Sequence, residues 1–332
     1  MCELMTITDI AALAAAGELT ETDTALAHLG ALLQEEGYSF VTVTPATHAR
    51  VNGRPGNARA TTLADVFGWS RPFGPGVLPE RVVELLDAAG QLDRDGDEWR
   101  SRVRFSSYDD ELFVHSAFPT TAADSVFFGP DSCRMADAAA GFVEKLDRLP
   151  RRAVDIGCGT GVGAITVAKR APAAEVLAVD INPAALRFAQ VNVALAGTGN
   201  VRPRPSNLLD DVPGRFDLIV SNPPFMIDPA GRAYRDGGGE HGHHLSLAII
   251  DAAIDRLEPE GSLVLFSGAG IVGGRDPFRT AAAERLDGTG LTWTYREVDP
   301  DVYGEELDGP AYAHADRIAV VVLTVTRPRT ET

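Results

Sequence analysis

Asn222-Pro223-Pro224-Phe225 stands directly behind the apolar run Leu218-Ile219-Val220, and its residue types could do chemistry. Each proline lacks an N–H and fixes φ, and the residue before each is pushed into an extended conformation. At the end of a buried strand, such a tetrapeptide is a rigid shelf whose backbone carbonyls can turn toward a ligand. The Asn222 side-chain oxygen joins the Pro223 carbonyl, so two acceptors converge on a group that carries N–H donors. Phe225 supplies a flat face for a planar amide, amine or base. The arrangement would hold an –NH2 group and present its nitrogen lone pair for attack.

Such a shelf needs elements that position it, and from about residue 150 the chain supplies them. Strand and helix signals alternate, the pattern of a mostly parallel sheet with helices on both faces. Ala153-Val154-Asp155-Ile156 reads as a short buried strand, followed by Gly157-Cys158-Gly159-Thr160-Gly161 and a helix through Lys169. Glu175 to Asp180 reads as the second strand, with Pro183 opening a helix to Ala196. Phe216–Ser221, Ser262–Phe266 and Ile318–Thr326 are further strands, with the turn Glu258-Pro259-Glu260-Gly261 before the second of these. Glycines behind the first strand let the backbone pass close to a ligand, and a helix N-terminus behind them favours negative groups. Asp180, ending the second strand, is placed to accept both ribose hydroxyls of an adenosine. Gly159-Thr160-Gly161-Val162-Gly163-Ala164 formally fits a dinucleotide fingerprint. Two features argue against nicotinamide. A carboxylate at Asp155 would repel a pyrophosphate and suits a cationic ligand group, and a dehydrogenase has no use for a proline shelf after the fourth strand.

With these motifs in this order, residues 125–328 resemble the class I S-adenosylmethionine-dependent methyltransferases that carry an Asn-Pro-Pro-(Tyr/Phe) motif. Asp155-Ile156-Gly157-Cys158-Gly159-Thr160-Gly161 is similar to their first motif, Asp180 to their acidic strand end, and Asn222–Phe225 to their fourth motif. Within the group, the chain looks most like the protein-glutamine N5-methyltransferases. Pro130-Asp131-Ser132, Asp236-Gly237-Gly238-Gly239 and Asp316-Arg317-Ile318 resemble segments of those enzymes. Phe225 replaces their usual Tyr, a choice seen more in ribosomal-RNA guanine N2-methyltransferases. Asn207 stands where Asp often lies beside the adenine amine, and its oxygen can still accept that bond.

The resemblance implies S-adenosylmethionine as the methyl donor and S-adenosylhomocysteine as the product. It assigns Asp155, Gly157, Gly159, Gly161, Asp180, Ile181, Asn207, Asn222 and Pro130 to the cofactor. The methionine amine would go to Asp155, and Asn222, Pro223 and Phe225 would serve the acceptor. The reaction would be an in-line displacement at the methyl carbon, in which the protein contributes mainly positioning. No strong base is required, because a methylated, positively charged nitrogen loses its proton readily. Two other readings are an O-, N- or C-methyltransferase of specialised metabolites and a non-catalytic S-adenosylmethionine-binding protein. An intact Asn222–Phe225 argues against the last.

Other polar groups support bland readings. His241, His243 and His244 are irregularly spaced for zinc with no Cys near, so no metal site is expected and a substrate loop is the reading. Arg232, Tyr234, Arg235 and Asp236 either line a substrate entrance or reside on the surface. The acidic segment Asp299–Glu306 could meet a basic substrate or be solvated. Cys158 is a packing residue rather than a nucleophile.

Residues 1–120 form a smaller, mainly helical domain ahead of the methyltransferase-like residues 121–332. Helices are expected near 7–16, 21–36, 62–68 and 79–89, a β-like run at Phe40–Val43, a loop at Asn52–Asn57, and strands at Glu98–Phe105 and Leu112–His115 around Ser106–Asp110. Such a domain suits either substrate recognition with a hairpin linker or a winged-helix module that makes a homodimer. The expected whole is α/β, a Rossmann-like, mostly parallel seven-stranded sheet flanked by helices, with that N-terminal domain and its β-hairpin.

Composition limits the partners. Thirty basic against 47 acidic residues give a formal charge of −17, so RNA is disfavoured and a protein or small molecule favoured. The short basic groups Arg148/Arg151/Arg152 and Arg202/Arg204 make no footprint. No apolar run approaches the roughly 18 residues of a membrane span, and residues 1–6 lack the basic and apolar regions of a secretory signal. Cys2, Cys133 and Cys158 fit no disulfide or metal pattern. A reducing cytoplasm is the expected home.

Overall fold

A computed structural model describes residues 10, 18–228, 231–232 and 234–329. Most of the helix expected near 7–16, the leader reading of residues 1–6, and Cys2 therefore lie outside the described residues. The chain divides into two compact units. One comprises Met1–Cys133, Gly159–Val162 and Ala184–Gly199; the other comprises Arg134–Cys158, Gly163–Pro183 and Asn200–Thr332.

In the first unit, helices α1 (Glu21–Glu35), α2 (Pro45–Asn52), α3 (Leu63–Phe67) and α4 (Glu80–Ala88) precede two hairpins. Thr20, Thr44 and Thr62 cap α1, α2 and α3, each accepting a backbone N–H three residues on, and Thr62 with Asp65 completes a capping box. The hairpins are β1 (Leu92–Asp95) with β2 (Glu98–Ser101) and β3 (Val103–Tyr108) with β4 (Glu111–Ser116). Asp109 and Asp110 turn the second hairpin with φ of 51° and 64°. A two-residue turn with both φ positive matches the right-handed strand twist, so β3 pairs through Tyr108 where a loop was expected from residue 106. Leu26, Leu29, Leu33, Phe67, Leu86 and Phe105 form the core, and Phe188 and Leu195 of the later residues 184–199 join it.

Two expectations for this region are corrected. Phe40–Val43 is not a ladder strand: the Phe40 carbonyl accepts the Ser107 N–H at 2.8 Å, and the Phe40 N–H reaches the Ser107 hydroxyl at 3.2 Å. The expected strand Glu98–Phe105 is two strands, broken at Arg102, whose N–H turns to the Gln91 carbonyl at 2.8 Å. The first of them pairs with β1, which had no sequence signal.

The second unit is built on a seven-stranded sheet. Its strands are β5 (Arg152–Ile156), β6 (Glu175–Asp180), β7 (Val201–Pro205), β8 (Phe216–Ser221), β9 (Leu257–Ile271), β10 (Thr292–Asp299) and β11 (Arg317–Thr326). Across the sheet the order is β10-β11-β9-β8-β5-β6-β7, parallel from β9 to β7, with β11 antiparallel to both its neighbours. Strands β5, β6 and β8 are continuous apolar runs because parallel strands are covered on both faces. In chain order, helices α5 (Pro130–Val143), α6 (Val162–Arg170), α7 (Pro183–Leu195), α8 (His244–Arg256) and α9 (Pro277–Leu286) intersperse the strands, and α7 from Ala184 on belongs to the first unit. Leu247, Ile250 and Ala253 of α8 and Phe278, Ala282 and Leu286 of α9 pack with Val154, Ile219, Leu263 and Val321 of the sheet.

Strand β9 is much longer than the expected Ser262–Phe266. Glu260, at φ 66°, and Gly261 lie within it as an irregularity in its pairing with β8 rather than as a turn before it. Strand β7 has prolines at 203 and 205, tolerable because β7 is the sheet's edge strand. No helix among the described residues is long and apolar enough to cross a membrane.

Candidate functional site

Strand β5 changes direction of wind: β6 and β7 lie on one side, β8 and β9 on the other. In open α/β sheets such a switch point opens a crevice beyond the carboxyl ends of the strands. The register places Asp155 beside Val220 and Ile156 beside Ser221, so Asn222 emerges next to the Gly157 turn. The buried Ser221 hydroxyl donates to the Ile156 carbonyl at 2.7 Å, tying the two strand ends together.

Asp155 is 1% exposed. One carboxylate oxygen, Oδ2, accepts the Ala164 N–H at 2.9 Å, while the other, Oδ1, is buried without a hydrogen-bond partner. Burial pushes its pKa up to about 7; the Ala164 bond opposes that and the nearby Asp180 charge adds to it. Gly163 is required beside it: a Cβ there would stand 2.7 Å from Asp155 Oδ2 and 2.8 Å from the Met135 methyl. Gly157 has φ 67°, and the Gly157 and Cys158 N–H groups both donate to the Val179 carbonyl, at 2.9 and 3.0 Å. This bifurcated contact closes the turn. Cys158 is buried, and burial raises its thiol pKa well above the ordinary value, consistent with packing.

Asp180 ends β6 with its Oδ1 accepting the Asn182 N–H at 2.9 Å. Its carbonyl accepts the Ser206 N–H at 3.2 Å, which joins the ends of β6 and β7. Ile181 follows with its side chain 67% exposed, unusual for a large aliphatic residue. Asn207 is exposed, and its amide donates to Asp210 at 3.1 Å. Asp155, Gly157, Asp180, Ile181, Asn207 and the shelf thus all lie at the carboxyl ends of β5 to β8 in the second unit.

Gly159, Gly161 and Pro130 belong to the first unit. Gly159 and Gly161 have φ of 53° and 80°, a left-handed backbone that glycine adopts without cost. Pro130 opens α5, where the Gly129 N–H reaches the Ser132 hydroxyl at 3.3 Å. Sequence reasoning missed Asn192, a fully buried residue of α7. Its side chain accepts the Val114 N–H at 2.8 Å and donates to the Val114 and Thr160 carbonyls at 3.1 and 2.9 Å. A lone Asn among the apolar residues of a helix was the available signal.

At the shelf, Asn222 Oδ1 is a second buried acceptor without a partner. Pro223 is buried, and Phe225 is 8% exposed. The flat face expected of Phe225 is therefore largely covered. Its ring lies on Gly268 of β9, where a Cβ would come within 2.2 Å of the ring, and the Tyr303 ring sits at 6.3 Å and 53°. A glycine inside a long strand signals such a close approach, and Gly268 had been passed over.

The segment behind the shelf is braced. Met226 donates to the Arg235 carbonyl at 3.0 Å and accepts from Gly237 at 2.9 Å, and Ile227 donates to the Tyr312 hydroxyl at 2.9 Å. Arg232 grips Asp228 with two bonds of 2.7 and 2.8 Å and holds its pKa down at about 2. Arg235 pairs with Glu306 at 2.6 Å. These arginines brace the loop through internal pairs. Of the acidic segment, Asp299 pairs with Arg134 at 3.0 Å and Glu306 with Arg235, so part of its charge is spent internally. Likewise, Arg148 and Arg151 lie against Asp217.

The His241 and His243 rings lie 5.5 Å apart, and His314 is 6.0 Å from His241. Burial, and then the neighbouring His241, lower the His243 pKa. Among the described residues, no group of three or more His, Cys, Asp or Glu side chains could hold a metal ion.

Residues 128–270 match the family model of the methyltransferase small domain. A release factor glutamine methyltransferase of Deinococcus radiodurans is 35% identical over 168 residues, covering 49% of this chain and 59% of that protein. A ribosomal protein L11 methyltransferase of Thermotoga neapolitana is 46% identical over 117 residues, 35% of this chain and 42% of that protein. A ribosomal RNA small subunit methyltransferase C of Aeromonas hydrophila is 29% identical over 174 residues, 52% of this chain and 45% of that protein. The chain spans about half the length of the curated relatives it matches.

Proposed function

We propose that this chain, whose residues 128–270 carry a methyltransferase small domain, transfers a methyl group from S-adenosylmethionine to a nitrogen held by Asn222–Phe225. The observation that carries this reading is a pair of buried side-chain oxygens without partners, Asp155 Oδ1 and Asn222 Oδ1, at the ends of neighbouring strands. A buried acceptor left unpaired costs about 1–3 kcal/mol, so each calls for a donor from a ligand. The two differ in kind. Asp155 is a carboxylate able to charge and suits an ammonium group, whereas Asn222 is a neutral amide and suits an uncharged –NH2.

The donor set fits S-adenosylmethionine. Asp155 would hold the methionine amine, Asp180 the ribose hydroxyls, Ile181 a face of the adenine, and Asn207 its exocyclic amine. Gly157, Gly159 and Gly161 keep side chains out of the turn along which the cofactor would lie, and Pro130 fixes the chain entering α5. When bound, the cofactor supplies an activated methyl group. On the acceptor side, the Asn222 side chain and the Pro223 carbonyl would take the two N–H hydrogens, aiming the nitrogen lone pair. That orientation can supply several kcal/mol of the barrier, on the order of what positioning supplies elsewhere. No base is needed at the nitrogen, because the methylated cation sheds its proton to water.

The names of the relatives span a glutamine side chain, a ribosomal protein and a ribosomal RNA. The formal charge of −17 favours a protein or small-molecule acceptor over RNA. The test is radiolabelled methyl transfer into fractionated lysate by wild type and Asn222→Ala, with calorimetric titration of the cofactor alongside. Loss of at least tenfold in transfer with unchanged cofactor affinity supports the clamp. Undiminished transfer by Asn222→Ala refutes it.

A further inference from the structure

Tyr303 occupies the link between β10 and β11, a stretch notable in the sequence only for its carboxylates. Its backbone is left-handed, with φ 55° and ψ 39°. Residues other than glycine and asparagine rarely adopt that conformation, and where they do the surroundings must impose it. The surroundings here are explicit. The preceding Val302 N–H is fixed to the Ile318 carbonyl at 2.8 Å, and the Tyr303 carbonyl accepts the Glu306 N–H at 2.8 Å. Glu306 is in turn paired with Arg235, whose carbonyl holds the Met226 N–H one residue beyond Phe225. Tyr303 is thus held on both sides, to β11 through Val302 and to the segment behind the shelf through Glu306 and Arg235.

That anchorage sets its ring 6.3 Å from the Phe225 ring at 53°. A flat ring sandwiched between two others needs them parallel and roughly 7 Å apart, since each face-to-face contact takes about 3.5 Å. The observed pair is closer and steeply tilted. With its ring close to Gly268, Phe225 stays only 8% exposed. At 8% exposure Phe225 offers a nucleobase little surface to stack on, whereas an acyclic –NH2 group needs only the acceptors of Asn222 and Pro223.

We propose that Tyr303 is a specificity-determining residue that closes the acceptor site to aromatic rings, so that the methylated nitrogen is carried on a non-aromatic head group. This inference rests on the methyl-transfer reading of the same site. It assigns the discrimination to one side chain outside the Asn-Pro-Pro-Phe motif.

The experiment measures binding rather than turnover, so its failure can be told from failure of that reading. Full-length protein saturated with S-adenosylhomocysteine is titrated with 9-methylguanine and, separately, with propionamide, each followed by ligand-observed NMR. Wild type and Tyr303→Phe, which keeps the ring, are expected to show no saturable response to 9-methylguanine. Tyr303→Ala is expected to bind the base with at least tenfold gain over wild type. Tyr303→Gly is the second opening variant, because glycine suits φ 55° and keeps the loop in place. Saturable binding of 9-methylguanine to wild type overturns the proposal. So does failure of both opening variants to bind it while their S-adenosylhomocysteine affinity is intact. Wild type that binds no S-adenosylhomocysteine, or labels no acceptor in lysate, instead refutes the methyl-transfer reading.

Discussion

Replacing Asp155 by Asn sets stability against function at one atom pair. The Asp155 carboxyl has its pKa raised from 3.8 to about 7, with burial as the main cause. For an acid raised in the folded state, the native protein holds its proton more tightly than the unfolded chain does. Its contribution to stability is therefore intact below about 4 and is lost progressively as the pH rises toward 7. At about 1.4 kcal/mol per unit, a shift of this size makes the ligand-free protein about 4 kcal/mol less stable at pH 8 than a neutral group would, and about 2 kcal/mol less at pH 5. Asn can still accept the Ala164 N–H, so Asp155→Asn should raise the apo protein's unfolding free energy, by more at pH 8 than at pH 5. An Asn –NH2 placed where the partnerless Oδ1 now sits costs about 1–3 kcal/mol if it stays unpaired, which offsets part of the gain at pH 8 and can cancel it at pH 5. Cofactor affinity should move the other way. Wild type should bind S-adenosylmethionine more tightly as the pH rises through 7, when the carboxylate ionises, and the variant should bind weakly with no such pH dependence. Urea unfolding at the two pH values, paired with calorimetric titration across the same range, measures both. A variant no more stable at pH 8 than wild type, or one that keeps the rise in affinity, would refute the reasoning.

Asn192→Ala should destabilise the protein by about 2–4 kcal/mol, because the Val114 and Thr160 carbonyls and the Val114 N–H lose a buried partner; a change under 1 kcal/mol in urea unfolding counts against that role. Gly163→Ala should weaken cofactor binding at least tenfold through the 2.7 Å clash with the Asp155 carboxylate, while the better helix propensity of Ala returns about 1 kcal/mol of stability; unchanged affinity would mean the carboxylate can step aside. Asp180→Ala should weaken binding by about 1–3 kcal/mol through lost hydrogen bonds to the ribose, and an unaltered dissociation constant refutes the ribose assignment. His48, 1% exposed, has its pKa lowered to about 4 by burial and then by Arg104. An imidazole held neutral in the fold contributes stability that is lost as the pH falls from 6.5 through about 4. His48→Gln should flatten that acid-side loss, which acid titration followed by near-UV circular dichroism would record.

The parts of the fold legible in the sequence are those where one local pattern meets one environment. Strands β5, β6 and β8 read as continuous apolar runs because parallel strands are buried on both faces, and Pro183 marked the start of α7. Strand β7 was missed because its two prolines argue against a strand, and only its edge position in the finished sheet makes them tolerable. The length of β9 was hidden by Glu258-Pro259-Glu260-Gly261, which reads as a turn and folds as an irregular strand beside Phe216. At the candidate site, the placement of Asp155, Asp180 and Asn222 was legible because each lies within a residue of its strand's carboxyl end. Gly163, Gly268 and Tyr303 matter through what they approach across the fold, and neither a clash distance nor a ring angle leaves a mark in a linear sequence.

The distribution of unsatisfied polar atoms argues for a division of labour across β5 and β8. Buried polar groups in folded proteins almost always find partners, and each exception needs a reason. Here two of the exceptions, Asp155 Oδ1 and Asn222 Oδ1, lie at the ends of adjacent parallel strands at the switch point of the sheet. Neither atom stabilises the fold as it stands, and at about 1–3 kcal/mol each they reduce its stability. Their chemistry separates their ligands: a carboxylate that ionises near neutrality rewards a cation, and an amide oxygen rewards a neutral N–H. Filling one should leave the other's deficit in place. On the proposed reading, S-adenosylhomocysteine therefore stabilises the protein by an amount that Asn222→Ala does not change, while Asp155→Asn reduces it. Thermal unfolding of the two variants with and without that ligand tests the separation. Loss of the ligand's stabilisation in Asn222→Ala would mean the two acceptors serve one group.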